Sequence, residues 1–366
     1  YGEKSFTVDN TPVYYDGTSK NYYYYKWSDT NGDMITVGEF AERFANYTGK
    51  VDVYHQYAEG KEPLAVGTVE RIFENGTIKY TDGKFVPVGN FHTDIQNAEL
   101  EVNTGTSEEC ILNYYNETIG EGYYFTNADN SGDTTKYTAE QVSELAKNGP
   151  VNFKAYYAVA EETYELGVVH SEVKASVAYD NTTDKYTVTA TVTLKSPDNS
   201  IDITEEVGEY DANTGKGYYF EFTDDKGTKS TQEQLNNRFE GFTGKAEIYY
   251  QCEDGKTVVK AGEVERVLES TELTYENEVF VPKGTFHTEV RSLDGSQTLE
   301  TIYTSTSEND VLSYYDKALD EGYYFEDASG NKYTAETATA LIKSEPSSFG
   351  VHYKDGENIA DIGNVE

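Results

Sequence analysis

Four times along the chain, a short aromatic run gives way to a polar turn, then to apolar residues at helical spacing, then to an alternating run. The aromatic runs are Tyr22-Tyr23-Tyr24-Tyr25, Gly122-Tyr123-Tyr124-Phe125, Gly217-Tyr218-Tyr219-Phe220 and Gly322-Tyr323-Tyr324-Phe325. Each is short, aromatic and bounded by glycine or charge, which predicts a strand. The polar turns lie at 28–32, 129–132, 224–227 and 327–330. Next come Thr36 with Glu39, Thr138 with Gln141 and Thr231 with Gln234. That spacing is a capping box, in which hydroxyl and side chain satisfy each other's free amides at a helix start. Thr334 is followed by Thr337 instead, a weaker cap. Behind the caps, Phe40 and Phe44, then Val142, Leu145 and Ala146, then Leu235 and Phe239, then Ala338, Leu341 and Ile342 recur at helical spacing. Gly49, Gly149 and Gly244 are expected to end three of these helices.

Second strands are expected at Val51–Tyr57, Val151–Tyr157, Ala246–Gln251 and Phe349–Tyr353, each with one apolar and one mixed face. Further strands follow. Thr77–Val88 carries Asp82-Gly83, a strong hairpin signal. Lys185–Leu194 is a plain alternation rich in β-branched residues. The short runs Glu108–Asn116 and Asp310–Asp316 are expected to add a helical turn between repeats. The expected fold class is α+β: a tandem array of modules of about 100 residues, each a β-α-β start with antiparallel strands and one helix packed on a sheet. Two sheets with the helix at an edge are the alternative.

The repeat has a second layer. Residues 22–94 align without a gap on 217–289, a shift of about 195 residues, with roughly a third of positions identical. Thr48-Gly49-Lys50 returns as Thr243-Gly244-Lys245, Val69-Glu70-Arg71 as Val264-Glu265-Arg266, and Phe91-His92-Thr93 as Phe286-His287-Thr288. The repeats starting at 122 and 322 lack these phrases. The expected organisation is therefore 1–21, the tail of a preceding module; 22–121, module A; 122–216, module B; 217–321, module A′; and 322–366, the start of module B′. These boundaries are open to a common rotation along the chain, and the pattern suggests a segment cut from a longer protein.

Charge narrows the function classes. With 29 Lys+Arg against 66 Asp+Glu, the formal net charge is -37. Nucleic acid is excluded as a partner, because phosphate binding needs clustered cations. Docking on anionic lipid is disfavoured for the same reason, and no apolar stretch reaches the length of a membrane span. Cys110 and Cys252 occupy unlike places in the repeat, with Cys252 aligned on Tyr57; a framework disulfide would recur, so both are expected as free thiols.

Candidate chemistry is sparse. Tyrosines that recur in every module, such as Tyr23, Tyr123, Tyr218 and Tyr323, are expected to be scaffold. The others are better ligand candidates, since tyrosine gives rigid amphipathic contact at low entropy cost. They are Tyr54, Tyr57, Tyr156, Tyr157, Tyr249 and Tyr250 on the second strands, with Tyr164 and Trp27. Asn127–Gly132 resembles the start of a calcium loop, but its twelfth position is Thr138 rather than a bidentate Glu, so a plain turn is expected. His92 and His287 share one repeated site with no ligand-spaced partners, which points to structural histidines. No nucleophile elbow, zinc motif, phosphate loop or dinucleotide fingerprint occurs. No catalytic residue, metal ligand or cofactor is nominated, and no enzyme is expected.

The A-B-A′-B′ order, the acidity, the scarcity of Cys and Met, and the phrases Gly122–Phe125 with Tyr137–Glu140 and Gly322–Phe325 with Tyr333–Glu336 resemble multi-repeat surface proteins of Gram-positive gut bacteria. That group includes adhesins and immunoglobulin-binding superantigens. The resemblance implies an extracellular, cell-surface segment that binds a host protein, immunoglobulin first, by strand addition or a helix edge. The alternatives are a spacer that projects a distal domain, and a carbohydrate-binding adhesin with coplanar exposed rings.

Overall fold

The computed structural model describes residues 11–28, 32–130, 132–293 and 298–366. The tail residues 1–10, and residues 29–31 and 131 of the first two polar turns, lie outside that set. The protein is mostly β, with 57% strand against 11% helix spread over several sheets. This overturns the expected α+β array of about 100-residue β-α-β modules. The difference arises after the first three second strands, where sequence alternation suggested short pieces. Instead the chain forms long paired strands: Leu64–Thr81 with Lys84–Asn97, Glu162–Asp180 with Lys185–Lys195, and Val258–Glu276 with Val279–Leu293. The helices Val37–Asn46, Ala139–Asn148, Gln232–Phe239 and Ala335–Ser344 are only 10, 10, 8 and 10 residues long.

Among the described residues the strands form four sheets. The first runs in the order Val13–Tyr14, Tyr22–Trp27, Gly49–Gln56, Leu64–Thr81, Lys84–Asn97 and Val102–Thr104, with Glu108–Ile111 also on Lys84–Asn97. The third repeats this pattern from Gly217–Phe222 through Gly244–Gln251, Val258–Glu276 and Val279–Leu293 to Leu299–Thr304, with Glu308–Val311 on Val279–Leu293. The second is ordered Ser200–Val207, Lys185–Lys195, Glu162–Asp180, Val151–Val159 and Glu121–Asn127. The fourth is Lys332–Tyr333, Glu321–Glu326, Phe349–Asp355 and Asn358–Val365. Asp82 and Gly83 both take positive φ, 49° and 77°, and close the expected hairpin with Thr81 opposite Lys84.

The capping boxes form as the spacing predicts. Thr36 and Glu39, Thr231 and Gln234, and Thr138 and Gln141 exchange both bonds. Thr334 accepts the amide of Thr337, 3.2 Å away, and the two hydroxyls share a bond at 3.1 Å in place of a return bond to the cap amide. Two expectations change. Glu108–Ile111 and Glu308–Val311 are strands rather than a helical turn, because their backbones pair with Val88–Phe91 and Lys283–Phe286. Gly49 and Gly244 open the second strands rather than end helices. At Gly49 a Cβ would lie 3.1 Å from the Trp27 ring and 3.4 Å from Phe44, so glycine lets the strand pass under the aromatic residues.

The chain divides into two compact units. One holds the described part of Tyr1–Lys147 with Val151–Ser171 and Leu194–Ile201; the other holds Asn148–Pro150, Glu172–Thr193 and Asp202–Glu366. Within the second unit the cores do not respect the repeats. Phe286, Leu312, Leu268 and Phe280 pack in one cluster with Tyr323, Phe325, Ala338 and Tyr353 of the following repeat. A second cluster joins Ala175, Val177, Tyr179, Tyr186 and Val188 to Phe220, Leu235, Ile248, Val264 and Val290. In the first unit Phe73 meets Tyr157 with ring centroids 4.4 Å apart. A repeat of this size cannot bury its long hairpin alone, and it does so against its neighbour.

Candidate functional site

The feature that stands out is a buried glutamate, found once in each unit. The strand phrases Glu121-Gly122-Tyr123 and Glu321-Gly322-Tyr323 begin with it, whereas Tyr22 and Gly217 follow Asn21 and Lys216. Gly122 explains how the strand reaches the place. Its φ is +130°, and a Cβ would lie 2.7 Å from both Tyr114 O and Tyr115 Cα. Only glycine lets the preceding segment cross so closely, with Tyr114 bridging Tyr123 in parallel.

Glu121 is buried among donors from the preceding repeat and from its own neighbouring strand. Its Oε1 accepts the Thr48 amide and the Tyr157 hydroxyl, each at 2.5 Å, and its Oε2 accepts Thr48 Oγ1 at 2.8 Å. Arg43 Nη2 stands 4.0 Å from Oε2. Glu321 repeats the arrangement: it accepts the Thr243 amide, and the Tyr353 hydroxyl at 2.5 Å, with Arg238 Nη2 at 4.0 Å. Here Thr243 Oγ1 turns to Asp355 instead, at 3.2 Å. Burial raises the Glu321 carboxyl above its ordinary value, against the lowering effect of the Tyr353 and Thr243 bonds. The hydroxyls of Tyr157 and Tyr353 are pushed far up, first by burial and then by the adjacent carboxylate. They therefore act as permanent donors.

A second repeated contact lies nearby. Phe85 N donates to Ser143 Oγ at 2.8 Å, and Phe280 N to Thr339 Oγ1 at 3.1 Å. Both hydroxyls also bond their own helix, to Ala139 O and Ala335 O, each at 2.6 Å. The backbone of each long hairpin is thus pinned to the helix of the next repeat.

Beside each glutamate opens a cleft. The first, about 480 Å³, is lined among others by Arg43, Lys50, Arg71, Glu121, Phe73 and Tyr164. Its counterpart, about 400 Å³, is lined by Lys245, Arg266, Glu265, Tyr353 and Asp355 among others. The cations are largely matched: Lys50 Nζ lies 3.0 Å from Glu70, and Arg266 pairs with Glu308 and Asp310.

The sequence-nominated side chains are scattered rather than gathered. Tyr157 and Tyr250 are buried. Trp27 is half-buried against Phe44, under the Arg43 guanidinium. Tyr54 stacks on Tyr24, Tyr156 lies against Tyr124, and Tyr249 against Tyr219 while donating to Glu247 at 2.7 Å. Tyr164 is exposed, beside Phe73 at the cleft, and donates to Glu162. Tyr57 is exposed. Only Tyr157 and Tyr164 meet in one place. Sequence reading missed Glu121 and Glu321; the signal was their presence at the head of two of the four phrases.

The histidines and turns find local partners. His92 Nδ1 lies 2.7 Å from Glu74, and His287 Nδ1 lies 2.7 Å from Glu269. Asn127 Oδ1 accepts the Asp129 amide, as in a plain turn. Cys110 is half-buried, and the buried Cys252 thiol is pushed up to about 12, chiefly by desolvation. Among the described residues no helix is long and apolar enough to cross a membrane. No family model, curated protein or solved structure matches the chain.

Proposed function

We propose that the chain is a non-enzymatic spacer: a segment of a larger extracellular, cell-surface protein whose repeats are locked in series to hold a distal part in place. The buried glutamate carries this reading. It recurs only where a Thr-Gly-Lys loop precedes it, at Thr48 with Glu121 and at Thr243 with Glu321. A residue that joins one repeat to the next, and is almost wholly buried, serves the series rather than a ligand. Host-protein binding, with immunoglobulin first, stands behind it. Two of the eight side chains suited to that role are buried, and four others are engaged in ring contacts within their own repeats.

The deciding experiment offers the whole chain to immunoglobulin Fab and Fc, to other host glycoproteins and to a glycan array. A spacer gives no saturable binding to any of them. Saturable binding at micromolar affinity, weakened by Tyr57→Ser or Tyr164→Ser, would replace this reading with that of an adhesin.

A further inference from the structure

Three faces built on the same plan can be compared. In the second unit, the face made by Phe220, Leu235, Ile248, Val264 and Val290 lies under the ribbon bearing Ala175, Val177, Tyr179, Tyr186 and Val188. The contact is specific as well as apolar: Val177 N donates to Ser292 Oγ at 3.2 Å, and Gln232 Nε2 to Asp184 O at 2.9 Å. The face of Phe325, Ala338 and Val351 is likewise packed against Leu268, Leu273 and Phe280 of the preceding long hairpin. In each case the hairpin of one repeat covers the helix and sheet of the next.

The first sheet has the same face and, among the described residues, no such cover. The aligned positions show it directly. Ile95 is 52% exposed where Val290 is 0%, Tyr57 is 50% where Cys252 is 1%, and Val66 is 37% where Ala261 is 0%. Tyr25 and Phe40 are half-buried where Phe220 and Leu235 are fully buried. Leu64 and Val37 are exposed on the same sheet and its helix. The residues are apolar on both faces, so the difference is in what lies on top.

We propose that this face is the docking surface for the long β-hairpin of a further repeat of the same kind, an antiparallel ribbon with the apolar pattern of residues 172–195. The contact is head-to-tail, so it does not close on itself, and each repeat added leaves one face to fill. The covered and uncovered faces carry this inference independently of the spacer reading.

The test uses the whole chain and a synthetic peptide of residues 172–195. Hydrogen exchange should slow at 51–57, 64–69 and around Ile95 as peptide is added, in a saturable manner. Ile95→Asp and Val66→Asp should each weaken binding about tenfold or more, since a charge is then desolvated in an apolar contact. Val311→Asp, exposed on another sheet, should leave it unchanged. An isolated hairpin is marginally folded, so the same ribbon is also tethered ahead of the chain by a Gly/Ser linker, which raises its effective concentration to roughly millimolar. Absence of protection in both formats overturns the proposal. Self-association of the chain alone, abolished by Ile95→Asp, also overturns it, in favour of a second copy as the occupant.

Discussion

Replacing Glu121 with alanine should be one of the most destabilising single changes in the first unit. The structure sets the size of the effect. The carboxylate accepts three donors, the Thr48 amide, the Thr48 hydroxyl and the Tyr157 hydroxyl, at 2.5, 2.8 and 2.5 Å. Alanine leaves all three without an acceptor in a buried place, and each orphaned donor costs about 1–3 kcal/mol. The two hydroxyls can rotate, or take water admitted by the missing side chain; the amide cannot turn. The low end for the hydroxyls and the full figure for the amide give about 3–5 kcal/mol, the range for breaking a buried ion pair. Against a typical domain stability of about 5–15 kcal/mol, that is about a fifth or more. Trp27, the chain's one tryptophan, lies in the same unit and reports urea unfolding by fluorescence. Tyr157→Phe removes a single charge-assisted bond and should cost about 1.5–3 kcal/mol. Combined with Glu121→Ala it should add much less than that, with a coupling of about 0.5–3 kcal/mol. A Glu121→Ala chain within about 0.5 kcal/mol of the parent, or strict additivity with Tyr157→Phe, would refute the reasoning.

Three further outcomes follow from local geometry. Gly122→Ala should lower the thermal midpoint far more than Gly120→Ala. Both positions have positive φ, but a Cβ at 122 meets Tyr114 O and Tyr115 Cα at 2.7 Å while at 120 it meets open space. Thr36→Ala removes a complete capping box and should cost about 1 kcal/mol in urea unfolding; Thr334→Ala, with one backbone bond to lose, should cost less. The Asp327 carboxyl is lowered from 3.8 to about 2, first by the Asn331 side chain and then by its backbone amide. A folded value below the unfolded one means this turn is stabilised above pH 3.8 and loses that support as pH falls through about 2. Amide shifts of Ser329 and Asn331 followed from pH 5 to about pH 1 should report that midpoint; a midpoint near 4 would show that these bonds do not hold the carboxylate.

Much of the local structure was determined by the sequence alone. The four aromatic strands, the helix starts at Thr36, Thr138, Thr231 and Thr334, and the Asp82-Gly83 turn all depend on neighbours within a few residues. Propensity, capping and turn chemistry act over that range. Tertiary structure decided the rest. The fold class turned on how far the later strands run, and alternation does not say whether Leu64–Thr81 is one strand or several. The glutamate lock joins residues 73 and 78 positions apart, which no local pattern encodes. The ligand-candidate tyrosines were separated in the same way: Tyr157 and Tyr250 vanish into cores while Tyr57 and Tyr164 remain exposed. Aligned positions on one repeated face, Ile95 and Val290, ended with opposite exposure because burial depends on what packs above a strand, and that is set by a neighbouring repeat.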